Sequence, residues 1–253
     1  MALKRVDYDD NQHANYARGR RMPPDALARW MARFAEHLPE RRPLTVVDLG
    51  CGIGRLTPAL ADTFGGPVWG VEPSARMREI AEATASHPAV RYLEGEAARI
   101  PLPDASADVV LMFLSFHHVP DRTAAAVEIA RVLKPGGRVL IRSPFSDRMT
   151  GGWWQQFFSR ALEIERQMFP TLGEVTEVFE AVGLKTVALV SVNETYAASQ
   201  AEAAAKLRLR AISTFEHMTE AEIEEGFARM DAHVAAEPDA LPDTGESDLL
   251  VLG

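Results

Sequence analysis

Apolar positions recur along the first half of the chain in two alternating rhythms. In DALARWMARFAEHL, residues 25–38, Leu27, Met31, Phe34 and Leu38 fall at helical spacing behind Pro23 and Pro24, which predicts a helix packed against a larger body. A strand follows at 44–49. VVDLGCGIGRL, residues 46–56, then passes from a β-branched run through glycines at 50, 52 and 54 into what reads as the opening of a helix over 55–64. WGVE closes a second strand at Glu72, Pro73 and Ser74 introduce a helix to about 86, and 90–93 make a short third strand. ADVVLMFL, 107–114, is too continuously apolar for a half-solvated strand and predicts a central parallel strand covered on both faces. Asp121 caps the helix TAAAVEIARVL, PGG at 135–137 ends it, and RVLIRS supplies the next strand. Strands and helices in this order predict an α/β fold with an open, doubly wound sheet.

After Ser143 the rhythm changes. PFSDRMTGGWWQQFFSRALEIERQMFP concentrates Trp153, Trp154, Phe157, Phe158 and Phe169 in a stretch that reads either as a lid over a pocket or as an apolar helix face. A helix headed by Thr171 runs over 171–182, LKTVALVSVNETY makes a long strand, and two helices, 199–211 and 219–236, precede a last strand at 248–252. No internal repeat interrupts the pattern. The first 20 residues and the segments 144–170 and 199–236 are additions to the alternating core, and such additions usually shape the substrate side.

Composition narrows the classes. With 253 residues and 47% hydrophobic content the chain is long enough for one α/β domain with elaborations. Its single cysteine, Cys51, precludes an intramolecular disulfide and a thiolate metal cluster, so no metal is expected. A formal net charge of −9 repels a phosphate backbone, which disfavours nucleic acid as a partner. Without an apolar run suited to a signal peptide or a membrane span, the expectation is a cytoplasmic protein with no membrane association, monomeric or homodimeric.

The glycine loop narrows the ligand further. A dinucleotide fingerprint starting at Gly50 and Gly52 needs a third glycine where Arg55 stands, and a phosphate-cradling loop needs Lys then Ser or Thr after the glycines. Neither spacing is met. An acid, Asp48, beside the turn suits a ligand with positive charge, and Glu72 at the end of the second strand suits a pair of ribose hydroxyls. Arg55 itself reads as a structural or surface charge.

DLGCGIG, VEPSARM at 71–77, EGEAARIPLPDASADVV at 94–110 and RVLKPGGRVLI at 131–141 together resemble the class I S-adenosylmethionine-dependent methyltransferases, in particular their small-molecule, UbiE-like branch. The resemblance covers about 44–143. It implies a Rossmann-like, mostly parallel seven-stranded sheet of order 3-2-1-4-5-7-6 with helices on both faces and added helical segments near both ends. It further implies one methyltransferase domain over 1–253, with a cap and first helix at 1–40 and a cofactor-binding core at 44–143. The cofactor would be S-adenosylmethionine, leaving as S-adenosylhomocysteine. Asp48 and the backbone of Gly50 and Gly52 would surround its methionine part, with Glu72 on the ribose hydroxyls and Cys51 and Pro73 also among the cofactor-binding residues. Met77 would line the adenine, Gly95, Glu96 and Ala97 would face its edge, and Phe113 and Leu114 would pass beside the cofactor.

Methyl transfer from a sulfonium is an in-line displacement to which the protein contributes chiefly positioning. A base is needed only where the acceptor atom carries a proton. His117 and His118, just beyond the fourth strand, are the base candidates, with His13 and His217 further ones in the additions. Tyr16 and Arg20 in YARGRRMPP resemble elements that close over cofactor and acceptor, Arg142 is a second arginine suited to an anionic acceptor, and Trp153 and Trp154 are the lid candidates. The expected activity is methylation of oxygen, nitrogen or carbon on a small, partly hydrophobic metabolite. A protein methyltransferase, or a protein that binds this cofactor without transferring methyl, is the alternative.

Overall fold

A strand apolar at all but one position is stable only with both faces covered, and β4, Ala107–Phe113, is buried along its whole length. It lies at the centre of a seven-stranded sheet of order β3-β2-β1-β4-β5-β7-β6, comprising β1 (Leu44–Leu49), β2 (Gly65–Glu72), β3 (Val90–Glu94), β5 (Leu133–Ser143), β6 (Thr186–Glu194) and β7 (Gly245–Leu252). β1 to β5 pair in parallel, while β7 runs antiparallel to β5, with Leu140 opposite Val251 and Arg142 opposite Leu249. The computed structural model describes residues 19, 22–194, 197–237, 239–241 and 245–253.

The connecting helices are α1 (Pro24–Ala35), α2 (Thr57–Phe64), α3 (Ala75–Thr84), α4 (Arg122–Val132), α5 (Ala161–Met168), α6 (Leu172–Glu180), α7 (Gln200–Leu207) and α8 (Glu220–Ala236). Asp121 caps α4 as expected, its side chain accepting the Ala124 N–H. PGG does not end that helix, however. Helix α4 stops at Val132, and residues 133–143 form β5, with Leu133 paired to Ala107. Proline excludes the α conformation from the residue before it and has no N–H to give, so the chain must leave the helix ahead of Pro135. Likewise α7 ends at Leu207, short of 211, where Arg210 takes a left-handed φ of 49°.

The chain divides into two compact units. The larger comprises Leu27–Ser143, Gly173–Ser191 and Asp248–Gly253, and contains β1 to β5. The smaller comprises the described residues within 19–26, 144–172 and 192–247. In the smaller unit the aromatic stretch is its core: Trp153, Phe157 and Phe158 cluster with Phe215, Phe227 and Met230, and Phe158 meets the Phe215 and Phe227 rings edge-on at 5.2 Å each. Edge-to-face rings stabilise beyond their buried area. The buried Glu165 carboxylate accepts hydrogen bonds from Gln155 Nε2 and Thr214 Oγ1 inside this unit. No helix among the described residues is long and apolar enough to cross a membrane.

At the amino-terminal end of β4, the buried carboxylate of Asp108 takes hydrogen bonds from Arg41 Nη2 at 2.6 Å, Lys134 Nζ at 2.8 Å and the Thr45 N–H at 2.8 Å. Burial alone would raise its pKa; Lys134, Arg41 and Thr45 together hold it below the ordinary carboxylate value. An acid whose native pKa is depressed stabilises the fold above its unfolded pKa, and that contribution disappears as pH falls through the native value. Asp108→Asn should therefore lower stability at pH 7 by about 2 kcal/mol. Urea unfolding of the two proteins from pH 7 down to pH 3 should show the gap closing below about pH 4.

Candidate functional site

The sheet order reverses between β1 and β4, and the crevice at the carboxyl ends of such neighbours is where open α/β sheets bind ligands. Here the loop after β1 lies against the segment after β4. Gly50 has a φ of 73°, and a Cβ on it would sit 2.5 Å from the Ser115 Cβ, so glycine is required both for the backbone turn and for the close approach. Ser115 in turn donates its hydroxyl to the Leu49 carbonyl at 2.7 Å. Gly50 N–H donates to Val71 O at 2.7 Å, tying the loop to β2. A Cβ at Gly52 would meet nothing within 4 Å, so this point of the loop faces open space.

Two buried carboxylates border the loop. Glu72, 8% exposed, accepts the Gly52 N–H at 2.9 Å through Oε2 and the Ser74 N–H at 3.0 Å through Oε1. Ser74 is the cap of α3, its Oγ accepting from Met77 N, so one carboxylate sets both the glycine loop and the start of the following helix. Asp48, 3% exposed on β1, accepts the Thr57 hydroxyl at 2.7 Å. Burial pushes its pKa up to about 6, with Glu72 adding to the rise while Thr57 and the Arg55 charge work against it. Burial, then Asp48 and Glu72, also push the Cys51 thiol well above its ordinary value, which leaves the thiol protonated and unreactive.

The remaining expected cofactor residues follow along the same strand ends. Pro73 is exposed, and its carbonyl accepts from Arg78 Nη1. Met77 is buried on α3. Gly95, Glu96 and Ala97 follow β3 in a turn where Arg99 N–H donates to Glu96 O at 3.0 Å, and Glu96 is exposed. Phe113 ends β4, and Leu114 after it adopts a φ of 57° while its N–H donates to Arg142 O at 2.9 Å. A left-handed leucine is uncommon, and such strain concentrates at functional sites.

His117 and His118 lie half-buried in a short 3-10 turn, 116–118, with ring centroids 3.8 Å apart. Arg142, on β5, is buried. It is 4% exposed, with its guanidinium centred 5.0 Å from the Phe113 ring and 5.8 Å from Trp30. Arg55, half-buried, has its guanidinium 5.9 Å from the same Phe113 ring, in keeping with a structural charge. Trp153 and Trp154 pack in the aromatic core of the smaller unit, and His217, in that unit, has its pKa lowered by burial. His13, Tyr16 and Arg20 lie outside the described residues. Sequence reasoning passed over Thr57 and Ser115; the only signal for Thr57 is a hydroxyl in the first turn of the helix after the glycine loop.

The donor set suits an S-adenosylmethionine: two buried carboxylates, Asp48 and Glu72, border the turn, and the loop is open at Gly52. Among the described residues, no cluster of His, Cys, Asp or Glu has the makings of a metal site. Residues 47–141 match the family described as Methyltransferase domain. A demethylmenaquinone methyltransferase of Bacillus licheniformis is 29% identical over 63% of this chain and 78% of its own length. One of Staphylococcus aureus is 37% identical over 44% of this chain and 47% of its own. Among solved structures, a protein from Anabaena variabilis described as a methyltransferase of an antibiotic biosynthesis pathway superposes with a TM-score of 0.74 at 20% identity, covering 92% of this chain and 98% of that one. Matched domain, sheet order and acid-bordered glycine loop agree, and residues 47–141 form a class I S-adenosylmethionine-dependent methyltransferase domain similar to that of the menaquinone methyltransferases.

Proposed function

We propose that this chain transfers the methyl group of S-adenosylmethionine to an oxygen, nitrogen or carbon atom of a small, partly hydrophobic metabolite. The observation that carries the reading is the glycine loop at the β1/β4 switch point with Asp48 and Glu72 buried beside it. Asp48 and the backbone of Gly50, Cys51 and Gly52 hold the methionine end, Glu72 and Pro73 the ribose, and Met77 with residues 95–97 the adenine. Phe113 and the backbone of Leu114 flank the cofactor where β4 ends. When bound, S-adenosylmethionine supplies an electrophilic methyl group on a sulfonium. A carboxyl that is costly to ionise alone, as Asp48 is, recovers its charge when a ligand ammonium lies beside it.

On the acceptor side, His117 or His118 takes the proton of an acceptor atom that carries one, and Arg142, held against Phe113 and Trp30, orients an acidic group. The acceptor class is supported by relatives whose own name is demethylmenaquinone methyltransferase, and by a net charge of −9 that gives nucleic acid no general foothold. Incubating the protein with methyl-labelled cofactor and separate pools of metabolites, protein and RNA should place label in the metabolite pool. Label in the protein pool alone would establish a protein methyltransferase instead, and no transfer to any pool would favour a cofactor-binding protein.

Glu72→Ala should weaken S-adenosylhomocysteine binding by about 1.5–3 kcal/mol, read by calorimetric titration. Because the same carboxylate holds the Gly52 and Ser74 N–H groups, its thermal midpoint should fall as well. Unchanged affinity would remove Glu72 from the ribose.

Asp48 carries a pH signature. An acid with a raised native pKa binds a proton on folding, so stability falls as pH rises between the unfolded value of 3.8 and the native value of about 6. Asp48→Asn should accordingly stabilise the ligand-free protein above pH 6, by an amount on the order of 2 kcal/mol, and change little at pH 4. Thermal unfolding across that range measures it. The same substitution should weaken cofactor binding, giving opposite signs in the two measurements.

A further inference from the structure

An arginine carries five N–H donors in a planar fork, and all five donors of Arg131 reach acceptors. Two grip Glu128, three residues earlier on α4: Nε donates to Oε1 and Nη2 to Oε2, both at 2.8 Å. The other three leave the helix. Nη2 donates to Ile100 O at 3.0 Å, and Nη1 to Leu102 O at 2.9 Å and Asp104 Oδ1 at 2.7 Å. Glu128 adds the reciprocal bond, its Oε2 accepting the Ile100 N–H at 3.0 Å. Both main-chain groups of Ile100 are thus held by one ion pair. Hydrogen bonding from Arg131 holds the Glu128 carboxyl below its usual range, while Glu128 and Asp104 raise the arginine.

What the pair holds is the return limb of the turn after β3. Gly95 is pressed against it: a Cβ there would lie 2.6 Å from Pro101 Cδ and 2.9 Å from Val71 Cγ1. Between the two limbs, Glu96 and Arg99 exchange backbone hydrogen bonds. Ile100 is buried, so residues 100–102 cannot shift without moving Pro101 against Gly95. An exposed ion pair contributes little by itself, but this one is spent on main-chain groups that fix a loop.

We propose that Arg131, braced by Glu128, is the positioning residue for the turn at residues 95–97 and thereby for the adenosine part of the cofactor. The proposal rests on the reading above that places Glu96 and Ala97 at the adenine edge. Arg131 acts only through the turn. Lysine keeps the charge but offers three donors from a single nitrogen, and cannot span Glu128, Ile100, Leu102 and Asp104 together.

The test uses the full chain, titrated with S-adenosylhomocysteine and with 5′-methylthioadenosine, which lacks the amino-acid end, alongside cofactor KM and kcat in the methyl-transfer assay. Arg131→Lys should weaken both ligands by the same factor, about tenfold, and raise KM by as much while kcat at saturating cofactor stays within about twofold, the scale of coupling between neighbouring groups. In a Glu96→Ala background the same change should add less than about twofold, because the turn it positions has lost its ligand contact. Unchanged affinity in folded Arg131→Lys, a loss seen with S-adenosylhomocysteine but not 5′-methylthioadenosine, or full additivity with Glu96→Ala would overturn the proposal. Should Arg131→Lys fail to fold, Glu128→Gln is held to the same criteria with an expected loss of about threefold. Glu96→Ala binding 5′-methylthioadenosine as tightly as the unaltered chain would instead refute the adenine placement itself.

Discussion

The loop after β1 and the start of the helix after β2 depend on one carboxylate satisfying two backbone amides. A glycine loop that turns through positive φ angles leaves N–H groups without helix or strand partners, and a buried unpaired amide is costly. Glu72 answers this from the neighbouring strand, bonding Gly52 N–H with one oxygen and Ser74 N–H with the other. The loop after β1 and the helix after β2 are thereby fixed to the same group. A side chain that reads as a ligand contact is equally the strut that shapes the site, so binding and loop geometry are coupled through it.

The two ends of the sheet treat their buried acids in opposite ways. Asp108, at the amino-terminal end of β4, is surrounded by a lysine, an arginine and a backbone N–H, and is held ionised. Asp48, at the carboxyl end of β1, has a neutral hydroxyl as its hydrogen-bond partner and a pKa raised to about 6. An acid paired within the protein serves the fold; an acid left short of positive charge in a crevice is poised for a cationic ligand. The same residue type, about equally buried, divides into structural and functional roles by what faces it.

Aromatic residues divide in a comparable way. Phe113 and Trp30 in the larger unit meet edge-on at 5.2 Å and carry the Arg142 guanidinium on their faces. A planar, weakly hydrated cation is tolerated there because ring faces compensate part of its lost solvation. In the smaller unit, Trp153, Phe157, Phe158, Phe215 and Phe227 pack on one another, and their first service is to give that unit a core.

The succession of strands and helices, the glycine loop, the acids flanking it and the Asp121 cap were legible in the sequence because each is a local pattern: a period of two or 3.6, a turn residue, a side chain near the amide it caps. Pro135 shows the limit even of local reading. PGG marked the change from helix to strand, but the pairing of Leu133 with Ala107 decided where it fell. Only the tertiary structure could place Ser115 against Gly50, bury Arg142 between two rings, bring Arg41 and Lys134 to Asp108, or carry the Arg131 fork to residues 100–104. These partners are far apart along the chain, and no periodicity records them. They meet because the sheet reverses its order between β1 and β4 and lays distant segments side by side, and it is that reversal, a consequence of packing two helical layers on one twisted sheet, which turns a row of motifs into a site.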